Sequence, residues 1–157
     1  MRKLFPFLML FGLLVFTACD SDSNSDDGPS DSEQIVGTWA VVGLTDATGD
    51  RSGGLVESYN SVLITMGANG SVNMAVDAVI PEASLSANGS YSVTESSNTL
   101  SVVLSVGGQD TPLSFTYEFA NATTLQLTPS STTTLLLGVL FQTSYVDPVL
   151  FTFSKVS

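Results

Sequence analysis

Histidine is absent from this chain, and cysteine occurs once, at Cys19. Without imidazole the usual zinc and copper sites cannot be assembled. Ser-His and Cys-His nucleophile activation is excluded as well, and so is the commonest general base. A lone cysteine cannot close an internal disulfide. Basic residues are nearly as scarce: four Lys and Arg stand against fifteen Asp and Glu, for a formal charge of -11. Such a surface repels phosphate backbones, so no nucleic-acid partner is expected. No metal and no cofactor is expected either. Aspartate and glutamate remain, and by inventory alone they leave room for carboxylate chemistry.

Long apolar runs are also missing. The longest, residues 4–16, is broken by Pro6 and Gly12. It falls short of the roughly 20 apolar residues that a membrane-spanning helix requires. With Arg2 and Lys3 before it and small residues after it, the run reads as an export signal occupying residues 1–18. Phe16-Thr17-Ala18-Cys19 resembles the lipobox of bacterial lipoproteins. The resemblance implies cleavage before Cys19, a diacylglycerol on its thiol and further acylation of the new amino terminus. Two or more acyl chains give stable membrane anchoring where one does not. Loss of the leader removes Arg2 and Lys3 and leaves only Arg51 and Lys155 as basic residues.

Residues 19–34 read as an acidic tether carrying the lipid on Cys19. Residues 20–34 hold six carboxylates and no aliphatic or aromatic side chain, so nothing there offsets the entropy of ordering. Asp20, Asp22, Asn24 and Asp26 have the alternate spacing of a calcium loop. Ser25 stands where that loop needs glycine and Asp31 where it needs glutamate, so a solvated spacer is expected. Ser25-Asp26-Asp27 looks like the acidic export signal of surface lipoproteins in Bacteroidota. In enterobacteria Asp20 would instead resemble an inner-membrane retention signal. The expected location is the cell envelope, with the outer membrane (periplasmic face or cell surface) ahead of the inner.

From residue 35 the hydropathy alternates with period two. Val72, Met74 and Val76 alternate with Asn73, Ala75 and Asp77, and Leu100, Val102, Leu104 and Val106 with Ser101, Val103 and Ser105. Leu113, Phe115, Tyr117 and Phe119 alternate with Ser114, Thr116 and Glu118. This is the signature of half-buried antiparallel strands. Turn residues separate the runs at 67–70, 95–98, 107–110 and 121–122, so about eight strands are expected in an all-β up-and-down barrel or sandwich. Residues 46–58 read as a mobile loop, within which Asp46 and Asp50 are weighed as a cation site and set down as a turn. Residues 132–147 read as a ninth strand or a short apolar segment over one barrel end. Gly138 and the preceding threonines argue against a long helix.

Ile35-Val36-Gly37-Thr38-Trp39 places Gly-x-Trp on the first strand and resembles the opening motif of lipocalins. Further pieces resemble the lipocalin-like lipoproteins of Bacteroidota and related bacteria: the Asn69-Gly70 hairpin, Asn88-Gly-Ser-Tyr91-Ser-Val93 before Asn98-Thr-Leu100, and the closing Phe151-Thr-Phe153-Ser-Lys155. The resemblance spans residues 35–157. It implies one eight-stranded barrel whose interior can hold a small apolar ligand, with Lys155 the candidate to cover Trp39.

The candidate interior residues are Trp39, Ile64, Met74, Tyr91, Leu104, Phe115, Tyr117 and Phe153. They either border a ligand cavity or fill a dry core, and Trp39 is weighed chiefly as a plug. The function expected is that of a non-enzymatic, monomeric, membrane-anchored barrel that binds a small hydrophobic ligand or another envelope component. The alternative is a filled barrel acting as a protein-interaction or inhibitor module of the envelope, with residues 135–141 as its docking patch. A glycosidase-like carboxylate pair is a third and weaker reading, because Asp77 and Glu118 fall on outward positions.

Overall fold

The computed structural model describes residues 28–80 and 84–157. The expected leader, the expected lipidation site Cys19, the acidic residues 20–27 and the export-signal reading of Ser25-Asp26-Asp27 lie outside the described residues.

The chain enters through a helical turn, α1 (Asp31–Gln34), and runs into β1 (Gly37–Asp46), which hairpins into the two-residue β2 (Gly49–Asp50). A short helix α2 (Ser52–Ser58) follows. A meander comes next: β3 (Tyr59–Met66), β4 (Ser71–Ala78), β5 (Leu85–Thr94), β6 (Thr99–Val106), β7 (Gln109–Asn121) and β8 (Thr124–Pro129). Helix α3 (Ser131–Leu140) then leads to β9 (Leu150–Lys155). Each strand of the meander pairs antiparallel with the next, and β9 returns to pair with β1. Eight strands therefore close into the expected up-and-down barrel, and β2 is an extra edge piece on β1. Closure removes the free edges that would otherwise template aggregation.

The strands form where period two predicts them. Val72, Met74 and Val76 are buried, as are Leu100, Val102 and Leu104, and Leu113, Phe115 and Tyr117, while their neighbours face out. β6 and β7 are joined by the two-residue turn Gly107-Gly108, with φ of 59° and 80°. Positive φ at both central positions matches a two-residue hairpin turn that only glycine adopts without strain.

The two barrel ends are closed differently. At the end where the chain enters, Trp39 is fully buried and its indole N–H donates to the Ile35 carbonyl at 2.8 Å. Lys155 Nζ lies 5.1 Å from the indole centroid and donates to the Gln34 carbonyl at 3.0 Å. At the opposite end α3 packs against β7 and β8.

Three expectations need correction. The segment read as a spacer up to Gln34 becomes ordered earlier. Ser32 donates through its amide and hydroxyl to Glu95, and Asp31 accepts from the Tyr117 hydroxyl, so α1 is fastened to the barrel by partners distant in sequence. Residues 46–58 are not a simple loop but β2 and α2, with the Ser52 amide capped by the Asp50 carboxylate at 2.8 Å. Residues 131–140 form a helix of ten residues despite Gly138 and the threonines. Thr133 and Thr134 are buried there because their hydroxyls are used. Thr133 Oγ1 accepts from the Ser114 amide at 2.8 Å, and Thr134 Oγ1 donates to Asp147 at 2.9 Å. The apolar run thus takes up the place over one barrel end that was foreseen for it, as a helix.

Candidate functional site

The inward faces of the strands enclose a cavity of about 50 Å³ lined wholly by apolar side chains. Ile64, Met74, Leu104, Phe115 and Phe153, five of the eight residues picked from the sequence, border it. Trp39, Tyr91 and Tyr117 do not. These three carry a polar tip and spend it at the α1 end. Trp39 bonds to Ile35, Tyr91 Oη donates to the Gly67 carbonyl at 2.9 Å, and Tyr117 Oη donates to Asp31 at 2.8 Å. Burial, helped by the Asp31 carboxylate, pushes the Tyr117 hydroxyl far above its ordinary pKa. The plug reading of Trp39 therefore extends to all three.

The remaining lining falls into two groups. Val41, Val62, Met66, Val72, Leu100, Val102, Leu113, Leu127 and Phe151 belong to the inward strand faces, so their signal was present in the sequence. Leu137 and Phe141 come from α3, and no strand periodicity could reveal them. Among the described residues, no buried side-chain nitrogen or oxygen lacks a partner. The interior thus presents no unsatisfied polar group to a ligand. A volume of about 50 Å³ admits water-sized occupants but is far below the roughly 300–1,000 Å³ of drug-sized pockets.

Larger concavities lie on the surface at the α3 end. A cleft of about 540 Å³ runs between α2, the end of β4, the start of β5 and the end of α3. A second, of about 130 Å³, is lined by Arg51, Leu55, Tyr59, Phe141 and Tyr145 among others. Burial is the main cause that pushes the Tyr145 hydroxyl up to about 12. Exposed apolar side chains gather at the same end: Val56 on α2 is 77% exposed, Val79 and Ile80 follow β4, and Leu135 and Val139 on α3 are 72% and 77% exposed.

Asp46 sits beside this region and does not form a cation site with Asp50. A bulge between Val41 and Gly43 shifts the register of β1 by one residue, turning Val42 outward and Leu44 and Asp46 inward. The buried Asp46 carboxylate accepts from the Thr48 amide and hydroxyl, from Arg51 Nη1 at 3.1 Å and from the Val146 amide. Asp50 is instead engaged with Ser52. Among the described residues no cluster of three potential metal-binding side chains occurs, and no helix is long and apolar enough to cross a membrane.

The Thr48 hydroxyl bond is the largest influence lowering the Asp46 pKa from 3.8; the two amides and Arg51 add to it, against burial. A carboxylate depressed in the fold adds stability that is complete above its unfolded pKa and is lost as pH falls through the folded value. Urea midpoints should therefore hold steady from pH 7 to about pH 5 and decline below about pH 4. Asp46→Asn should weaken the protein at neutral pH and flatten that decline. An unchanged acid slope in the variant would show that Asp46 is not the group responsible.

No family model, no curated protein and no solved structure matches the chain.

Proposed function

We propose that the chain is a non-enzymatic, lipocalin-like binding protein of the bacterial cell envelope. In this reading acyl chains on Cys19 hold it at the membrane, with the outer membrane favoured, and it recognises a small apolar envelope component at the α3 end of the barrel. One contrast carries the reading. The α1 end is shut by three aromatic side chains whose polar tips are all bonded, while clefts of about 540 and 490 Å³ and most of the exposed large apolar side chains among the described residues lie at the α3 end. The chain arrives at the α1 end, so an anchor at Cys19 joins the barrel opposite the recognition end. The acids weighed for catalysis, Asp77 and Glu118, are both exposed on outer faces of β4 and β7.

A second reading, docking of an envelope protein on a filled barrel, is favoured by Leu135 and Val139 standing out from α3. Native mass spectrometry of the full chain, expressed in a bacterial host and released in mild detergent, tests both. The expected mass begins at Cys19, carries acyl chains and shows a small non-covalent adduct. An unprocessed mass with free Cys19 overturns the anchor. An acylated chain with no adduct overturns the small-molecule form and leaves protein docking, which Leu135→Glu together with Val139→Glu should then abolish.

A further inference from the structure

The tetrapeptide Ala-Asn-Gly-Ser occurs twice in the chain, at 68–71 and at 87–90. Each copy holds an Asn-Gly pair. There the backbone nitrogen after asparagine can attack the side-chain amide with least hindrance, because glycine has no Cβ to crowd it. The local chemistry of the two copies is the same, but their places in the fold differ. Asn69 and Gly70 lie in the turn between β3 and β4, with Asn69 exposed and Gly70 at φ 77°. Asn88 and Gly89 lie inside β5, paired with β4 on one side and β6 on the other.

The attack needs the glycine nitrogen to reach the asparagine Cγ. In β5 the Asn88 carboxamide is drawn across to β4, where its Oδ1 accepts from Asn73 Nδ2 at 2.6 Å. With a strand on either side, the Gly89 amide is a ladder donor whichever neighbour it faces. The β6 backbone also passes so close that a Cβ on Gly89 would lie 2.8 Å from the Val103 carbonyl carbon, which leaves this stretch no room to rotate. In the turn, Asn69 Oδ1 accepts from the Ser71 amide at 3.1 Å, which folds the carboxamide over the backbone that follows it. Oδ1 is the atom that gains negative charge when Cγ is attacked, and the Ser71 N–H stabilises that charge. The Gly70 nitrogen is held by one turn bond, to the Gly67 carbonyl at 3.0 Å. Exposed turn tips open locally far more readily than central strands.

We propose that Asn69 is a site of spontaneous deamidation and that Asn88, in the same tetrapeptide, is protected by the sheet. Solvent takes the proton from the Gly70 nitrogen, which bonds to Asn69 Cγ. The Cγ–Nδ2 bond breaks, and the amide group leaves with that proton as ammonia. Water then opens the succinimide at one of its two carbonyls. Opening at Cγ gives an aspartate in the ordinary chain. Opening at the main-chain carbonyl gives isoaspartate, whose backbone runs through Cβ and Cγ and is one atom longer. Either product adds a negative charge, and no electrons are transferred.

The longer product acts on the closure of the barrel. Tyr91 clamps this turn twice: its amide donates to the Gly70 carbonyl at 2.8 Å and its hydroxyl to the Gly67 carbonyl at 2.9 Å. An extra backbone atom between these two carbonyls changes their spacing, so isoaspartate at 69 loosens one of the three aromatic closures of the α1 end.

Peptide mapping of the folded full chain, held at pH 8 and 37 °C, follows both asparagines by mass, and an isoaspartate methyltransferase marks the longer product. Asn69 should convert at least about tenfold faster than Asn88 in the folded chain, and the two rates should converge in urea. The melting midpoint of the aged chain should fall by about 3 °C or more. Asn69→Gln, whose longer side chain disfavours the five-membered ring, should age without that fall. Equal rates in the folded chain, or a faster Asn88, overturn selection by the fold. Protection of both asparagines until urea is added overturns the site. Conversion of Asn69 to isoaspartate with an unchanged midpoint overturns the loosening of the Tyr91 clamp.

Discussion

Trp39→Ala should lower the stability of the barrel by about 4 kcal/mol, in the range measured for emptying a buried aromatic site. In urea, with a slope of about 2 kcal/mol per molar, that moves the midpoint down by about 2 M. The physical reason is that Trp39 does three things at once. It fills the α1 end with no exposed surface and packs 6.2 Å from Phe119, centroid to centroid. Its indole N–H satisfies the Ile35 carbonyl, which links the barrel to the chain just after α1. Its face meets the Lys155 ammonium at the end of β9, next to the strand pairing that closes the barrel. Trp39→Phe keeps most of the volume and loses the donor, so it should cost about 1–2 kcal/mol. Far-UV circular dichroism should follow the transitions, because Trp39 is the only tryptophan and its fluorescence vanishes with the substitution. A Trp39→Ala midpoint within about 0.5 M of the parent would show that this end is not held shut by the indole.

The same residues show what could be read from the sequence. The eight barrel strands were legible because one face of each is dry and the other wet, which writes period two into the chain. Their turns were legible because glycine and asparagine mark backbone shapes that other residues avoid. The bulge at Val42 was only hinted at. A glycine inside a strand, here Gly43, often marks a bulge, but it does not say that the register shifts there, and that shift decides that Leu44 and Asp46 face inward.

Both terminal closures were hidden for a related reason. α1 is an acidic turn whose partners, Glu95 and Tyr117, lie 63 and 86 residues away. The threonines of α3 read as helix-disfavouring, but Ser114 and Asp147 turn their hydroxyls into tethers. The end proposed for recognition depends on α3, so the part of the candidate site that came from strand alternation was visible and the part that came from these long-range polar contacts was not.

Gly89→Ala should cost about 3 kcal/mol or more, comparable with the loss of the tryptophan ring, although it adds a single methyl group. Gly89 lies within β5, opposite Val72 of β4 and Leu104 of β6. A Cβ at this position would collide with the carbonyl oxygen of Val103 and come within 2.8 Å of its carbonyl carbon. Both atoms belong to the backbone of a central strand, so no side chain can swing away. Relief requires β6 to move, which strains the pairs Ser90–Val103 and Tyr91–Val102 and, through them, the interior face carrying Leu104. Glycine inside a strand ordinarily weakens it, and replacing it by alanine would then gain about 0.5–1 kcal/mol. Here close backbone approach reverses the sign. Overpacking of a rigid core costs about 1–3 kcal/mol, and a clash with main chain belongs at or above the top of that range. Gly53→Ala is the matched control. It lies in α2 with nothing within 4 Å of the added atom, and it should stabilise by about 0.5–1 kcal/mol through helix propensity. Thermal melts of the two variants should therefore move in opposite directions. A Gly89→Ala melt close to the parent would mean that β5 and β6 do not approach as closely as the register requires, and the inward set built on that register would have to be redrawn.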